Sequence, residues 1–227
     1  MIQAVVFDFD GLIVVTESLW FDVFRETMLE YECDLKIEDF AVCVGTNADV
    51  LYTKLSELAR KPIDRSVIQK VTDERYKEKI HELELREGVL NYLQAAKERG
   101  LKIGLASSSS RKWVVEFLHQ FGIQDYFEVI KTSDDVKKVK PDPELYLQAV
   151  EELGVHAREA LAFEDSKNGL IAAVQAGLHC IIVPNRVTRL LDFSEHVHRL
   201  SSMAEIEFDE LLHFLERKIL HRLPESL

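Results

Sequence analysis

Residues 1–17 read MIQAVVFDFDGLIVVTE, and the rest of the chain is organised around this stretch. A short apolar run, Ile2 to Phe7, ends in two carboxylates spaced i,i+2, Asp8 and Asp10, followed by Gly11 and a second apolar run. In an extended segment this spacing puts both carboxylates on one side, and a glycine just beyond permits a turn that leaves them at a strand end. Two like charges held that close call for a counter-ion, a shared proton or a ligand. Alone, an Asp-x-Asp reads as a polar strand terminus, so the remainder of the chain must decide between turn and site.

Working outward, the 227 residues suffice for one large domain or for a core with a smaller insert. Twenty-eight basic against 40 acidic residues give a formal charge of −12 with no basic block, which argues against a nucleic-acid or anionic-membrane partner. An anionic substrate would have to be met locally, by a lysine, a metal or helix N-termini. Cys33, Cys43 and Cys180 lack CxxC spacing and read as reduced, buried thiols of a cytoplasmic protein. No basic leader precedes the first strand, and no apolar run reaches the roughly 18 residues of a membrane span.

From about Ser18 to Leu85 the pattern is helical throughout. Leu19, Trp20, Val23, Phe24, Met28 and Leu29 fall on one face of a first helix; further helices are expected at Ile37 to Phe40, Asp49 to Ala59 and Arg65 to Leu85. Beyond Gly88 the regime changes to short apolar strands alternating with helices of about ten residues. Strands are predicted at Leu101–Ala106, Phe127–Ile130, Ala160–Phe163 and Leu178–Val183, and helices at Val89–Glu98, Trp113–Phe121, Pro143–Leu153, Gly169–Ala176 and Ile206–Leu220. Such alternation implies right-handed crossovers and a mostly parallel sheet, hence an α/β core interrupted by a helical insert. The segment after Leu190 carries the weakest pattern.

Polar residues recur at three predicted strand ends: Asp8 and Asp10, Ser107 to Ser109, and Glu164 with Asp165. In an open parallel sheet those ends face one crevice, where ligands bind. Asp8, Asp165 and Glu164, with a backbone carbonyl and water, form an all-oxygen set suited to Mg2+, and no histidine or thiol cluster suggests zinc. Duller roles compete at each position. A serine of the run caps the next helix, Lys140 alone would be a loop lysine, and Glu164 could bind water instead of metal.

Four separated motifs, DFDG at Asp8–Gly11, LASS at Leu105–Ser108, KPDP at Lys140–Pro143 and FEDSKNG at Phe163–Gly169, give the chain a resemblance to the haloacid dehalogenase superfamily. It resembles the phosphatase and β-phosphoglucomutase branch, whose helical cap follows the first strand. The resemblance implies a Rossmann-like core of residues 1–16 and 87–227 with strand order 5-4-1-2-3 and a cap of residues 17–86. It implies Asp8 as nucleophile, Asp10 as acid and base, Ser107 and Lys140 as the remaining catalytic residues, and Mg2+ on Asp8, Asp10, Asp165 and Glu164. Gly11, Ser108, Ser109, Trp20, Gly45, Thr46, Asn47 and Lys77 are the candidate substrate contacts. The partner would be a small phosphorylated metabolite, and the chain a monomer or weak homodimer.

Three positions depart from the branch. The cap histidine of the β-phosphoglucomutases is matched by Trp20, their phosphate-gripping arginine is missing from GTNAD at Gly45–Asp49, and Val15 stands where an aspartate is usual. The first two favour hydrolysis of a sugar or nucleoside phosphate over mutase chemistry, the runner-up. A non-catalytic Mg2+- or phosphate-responsive protein is the third reading. Val15 cannot accept hydrogen bonds at the joint with the cap, which points to an altered hinge with the chemistry retained.

Overall fold

The computed structural model describes residues 1–44 and 48–220. Among them, six strands form one wholly parallel sheet: β1 (Ala4–Phe7), β2 (Lys102–Ala106), β3 (Val129–Lys131), β4 (Ala160–Glu164), β5 (His179–Ile182) and β6 (His198–Arg199), in the order β3-β2-β1-β4-β5-β6. Every residue of β1 and β4 is buried, as central strands covered on both faces must be. The expected order 5-4-1-2-3 is present, read from the other edge. β6 adds an edge strand that pattern reading missed, because two polar residues cannot show a period.

Alternation along β1 splits the core. Val5 and Phe7 point to one face with Phe163 of β4, while Ala4 and Val6 point to the other with Ala162. The first face is covered by α5 (Val89–Glu98), α6 (Arg111–Gln120) and α9 (Phe208–Leu220), through Tyr92, Phe117, Leu211 and Leu215. Phe7 and Phe163 stack there with centroids 5.0 Å apart. The second face packs on α7 (Glu144–Leu153) and α8 (Lys167–Gln175), and its small residues, Ala160, Ala162, Ala172 and Ala173, let helix and sheet approach closely.

Between β1 and β2 lie α1 (Thr16–Leu29), α2 (Ile37–Ala41), α3 (Ala48–Leu58) and α4 (Arg65–Lys79). They bury a cluster of their own, with Phe21, Phe24, Met28, Phe40, Leu55 and Ile68, to which the sheet side contributes Val187. The helix expected to run to Leu85 stops at Lys79 and continues as a 3-10 turn, Ile80–Glu82. Likewise the third strand sits later than expected, because Gln124–Tyr126 forms a 3-10 turn ahead of it.

The insert leaves and rejoins the sheet side by side. Val14 bridges Leu85 antiparallel, and the Arg86 amide donates to the Ile13 carbonyl at 2.9 Å. The Arg86 guanidinium donates to the carbonyls of Gly11, Val183 and Pro184, tying the outgoing turn to the loop after β5. Val15 starts α1 with no side-chain cap, so its first turn is held by the Val14 carbonyl, which accepts from the Thr16 amide.

Candidate active site

The polar strand ends converge at one edge of the sheet. The Asp8 amide donates to the Phe163 carbonyl at 3.0 Å, extending the β1–β4 ladder and setting Asp8 beside Glu164 and Asp165. Gly11 turns the chain at φ +85°, and a Cβ there would lie 2.3 Å from Asp165 Oδ2, so glycine is required on both counts. Gly11 itself is buried, its amide donates to Val14 and its carbonyl accepts from Arg86, so its part is the turn and not a substrate contact. On the next strand, Ser107 extends β2, and Ser110 caps α6 by accepting from the Trp113 amide.

Lys140 closes the floor of the site. Its buried ammonium donates to Asp8 Oδ1, to Glu164 Oε1 at 2.6 Å and to the Ala106 carbonyl at 2.7 Å. Burial alone would lower its pKa, but the two carboxylates more than reverse this and hold the ammonium charged. Glu164 is also fully engaged. Its Oε1 accepts from Tyr146 Oη at 2.6 Å, and its Oε2 from the Ser166 hydroxyl at 3.2 Å. A Cβ on Gly169 would come within 1.9 Å of this carboxylate, which is why α8 begins with a glycine in its first turn.

Asp8, Glu164 and Asp165 can bring one oxygen each within 4.8 Å of one another. The donor pattern separates them. Asp165 Oδ2 accepts from Asn185 Nδ2 at 2.8 Å and Thr188 Oγ1 at 3.3 Å, while its Oδ1 is buried with no donor among the described residues. Burial, and then the charges of Glu17 and Asp8, push the Asp165 carboxyl well above the ordinary range; burial and Glu164 do the same to Asp8 in spite of Lys140. A buried, unpartnered carboxylate oxygen beside a second crowded carboxylate is the environment a hard divalent cation relieves. Mg2+ therefore fits Asp8 and Asp165. Glu164, expected as a ligand too, belongs to the same carboxylate group, and its oxygens also accept from Lys140, Tyr146 and Ser166.

Asp10 is half-buried and accepts from four side chains. Trp113 Nε1 at 3.0 Å and Thr16 Oγ1 at 3.3 Å donate to Oδ1; Ser109 Oγ at 2.6 Å and Ser107 Oγ at 3.4 Å donate to Oδ2. Two cavities meet at this residue. One, about 640 Å3, is lined by Asp8, Asp10, Ser108, Ser109, Lys140 and Ser166, with Val42 and Val44 contributed by the insert. The other, about 460 Å3, lies between Trp20, Tyr76, Lys77 and Trp113. Trp20 and Lys77 thus line a cavity with Asp10, and Trp20 is also stacked on Tyr76 at 4.0 Å. The candidates Gly45, Thr46 and Asn47 lie outside the described residues.

Sequence reading missed several neighbours. Asn185 and Thr188, in the loop after β5, are buried against Asp165; Tyr146 and Trp113 pass for apolar-stripe residues until their polar atoms are placed. Glu17 lines the larger cavity, half-buried and facing Asp10, and burial followed by the Asp10 charge raises its carboxyl to about 7. Since this lies above its unfolded value of 4.5, the stability linked to Glu17 is present below pH 4.5 and lost as pH rises through 7. In chelator, Glu17→Gln is expected to be more stable than the parent above pH 7, by on the order of 1 kcal/mol, and level with it below pH 4.5. Urea midpoints across that range check it.

The family model for haloacid dehalogenase-like hydrolases matches residues 5–183. A Bacillus subtilis (strain 168) protein named "Putative phosphatase YhcW" is 48% identical over 216 residues, covering 95% of this chain and 98% of the relative. The "Phosphorylated carbohydrates phosphatase" of Thermotoga maritima is 29% identical over 94% of this chain and 98% of its own length. Among solved structures, CbbY from Rhodobacter sphaeroides in complex with phosphate superposes with a TM-score of 0.68 at 30% identity, covering 90% of this chain and 96% of that one. Among the described residues, no helix is long and apolar enough to cross a membrane.

Proposed function

This chain belongs to the haloacid dehalogenase-like hydrolases, and from that membership we propose that it is a Mg2+-dependent phosphatase that hydrolyses a small sugar or nucleoside phosphate through an aspartyl-phosphate on Asp8. The observation that carries the reading is the pairing of Lys140 with Asp8 at the base of a cavity, with Asp10 at its mouth and an unpartnered Asp165 oxygen alongside. The relatives named as phosphatases, one for phosphorylated carbohydrates, support the same class, and so does the similar CbbY structure, which is in complex with phosphate.

Lys140 engages Asp8 Oδ1, which leaves Oδ2 with no protein donor among the described residues and available to phosphorus. Attack by Asp8 splits one difficult transfer into two easier ones. The buried ammonium offsets the charge that nucleophile and phosphoryl group bring together. Asp10 protonates the departing ester oxygen and later accepts the proton of the water that cleaves the aspartyl-phosphate. Ser107 and Ser108 stand at the end of β2 where non-transferring oxygens would lie. Mg2+, held by Asp8, Asp165 and the Asp10 carbonyl, would supply charge neutralisation at the phosphoryl oxygens. Residues 17–86 act as a cap over core residues 1–16 and 87–227, excluding bulk water and selecting the alcohol.

Phosphate release from a panel of sugar and nucleoside monophosphates tests the proposal. Turnover of at least one sugar phosphate is expected with Mg2+ and is lost in chelator. Failure on every monoester would overturn the reading. Conversion of β-glucose 1-phosphate to glucose 6-phosphate faster than phosphate release would replace hydrolysis by mutase chemistry.

A further inference from the structure

The hydrogen bonds to Asp10 are asymmetric. The donor to Oδ1 that lies closest, the Trp113 indole, can only donate; it has no lone pair to receive a proton and no second orientation. Thr16 on Oδ1 and both side-chain neighbours of Oδ2, Ser107 and Ser109, are hydroxyls that can reverse and accept, so the indole alone distinguishes the two oxygens. A proton on Oδ1 would weaken the acceptor that the indole meets, whereas a proton on Oδ2 needs only a hydroxyl to rotate.

We propose that Trp113 is a positioning residue that confines the transferable proton of Asp10 to Oδ2, the oxygen facing the serine loop of β2. The inference rests on the phosphatase reading above. The ring is held for this task. It meets Phe117 edge-on at 4.9 Å on the core side, and Tyr76 of the insert stacks parallel to it at 6.4 Å, with Trp20 behind Tyr76. Its backbone amide is spent on the Ser110 cap, so the same short turn that ends the serine loop also aims the indole.

In the first half-reaction a bond forms between an Asp8 oxygen and phosphorus as the ester P–O bond breaks. The bonding pair goes to the ester oxygen, which takes the proton from Asp10 Oδ2 and leaves Asp10 ionised. In the second, water loses a proton to Oδ2 as its oxygen bonds phosphorus and the Asp8–phosphorus bond breaks. Trp113 keeps Oδ1 out of both transfers.

Trp113→Phe keeps a ring in the stack and removes the N–H. For a sugar phosphate, whose poor alkoxide must be protonated, kcat/KM is expected to fall about 10- to 100-fold, carried by kcat with KM little changed. For p-nitrophenyl phosphate, whose leaving group needs no proton, kcat/KM is expected to change less than about threefold. Equal losses on both esters, or none on either, would overturn the inference. A second readout leaves Trp113 in place: the chain has two tryptophans, so the indole N–H signal lost in Trp113→Phe is identified in a 15N correlation spectrum. That signal is expected to move upfield in Asp10→Asn, where the acceptor loses its charge. An unmoved signal in a protein that hydrolyses sugar phosphates overturns the inference alone; wild-type protein inactive on both esters overturns the phosphatase reading and the inference with it.

Discussion

Asp8→Asn is expected to lower sugar-phosphate hydrolysis by at least about 10^4-fold, the scale on which removal of a covalent nucleophile acts. The amide has no charge to attack phosphorus with. Its effect on folding should run the other way. Asp8 is buried beside Glu164, and its carboxyl is pushed well above the ordinary range by burial and by that neighbour in spite of Lys140. Neutralising it removes a crowded charge, while Lys140 keeps Glu164 and the Ala106 carbonyl as partners. In the absence of Mg2+ the variant should therefore melt no lower than the parent. Thermal unfolding in chelator, beside the activity assay, separates lost chemistry from lost structure.

Lys140→Met carries the second large effect, and here activity and stability fall together. Among the described residues the ammonium is the sole cation paired with the buried carboxylates Asp8 and Glu164, with Tyr146 donating only a neutral hydroxyl. Removing one member of a buried ion network leaves the others uncompensated, which costs about 3–5 kcal/mol. For a chain of this size that corresponds to a fall in Tm on the order of 10 °C. Phosphate release should drop with it, because Asp8 and a phosphoryl dianion must then meet without a neutralising charge. The double variant Lys140→Met with Glu164→Gln is expected to recover part of the lost stability and none of the activity. Denaturant unfolding of the single and double variants measures the recovery.

The contrast between these two positions reflects how the site is legible in the chain. Asp8, Asp10 and Lys140 stand out because charged groups flank short apolar strands or a proline-bracketed helix start, and strands buried on both faces read as continuous apolar runs. The four central strands were readable for the same reason, whereas their order came only with the family resemblance. Edge strand β6 was not, since two residues carry no periodicity and its pairing to β5 is decided by tertiary placement. The 3-10 turn at Ile80–Glu82 escaped because helical spacing of apolar residues continues through it.

Within the site, the unreadable part is the set of groups that act through a single polar atom on an otherwise apolar side chain. Tyr146 sits on the core stripe of α7 and Trp113 on that of α6, and nothing in spacing reveals that one hydroxyl reaches Glu164 and one indole N–H reaches Asp10. Asn185 and Thr188 escaped for another reason. Polar residues after β5 look like any surface turn, and only the crossing of β5 beside β4 brings them onto Asp165. Glu164 has a second part that its residue type does not reveal: it pairs with a lysine 24 residues earlier.

In the proposed reaction the phosphoryl group passes through Asp8. The most direct measurement is an acid quench within a single turnover of a phosphate-labelled sugar phosphate the enzyme hydrolyses, followed by peptide mapping of the protein. The label is predicted on the peptide that contains Asp8, labile to hydroxylamine as an acyl phosphate is, and absent from Asp8→Asn. Phosphate released with no labelled protein at any time, or a hydroxylamine-resistant label on the serine loop Ser107–Ser109, would contradict it.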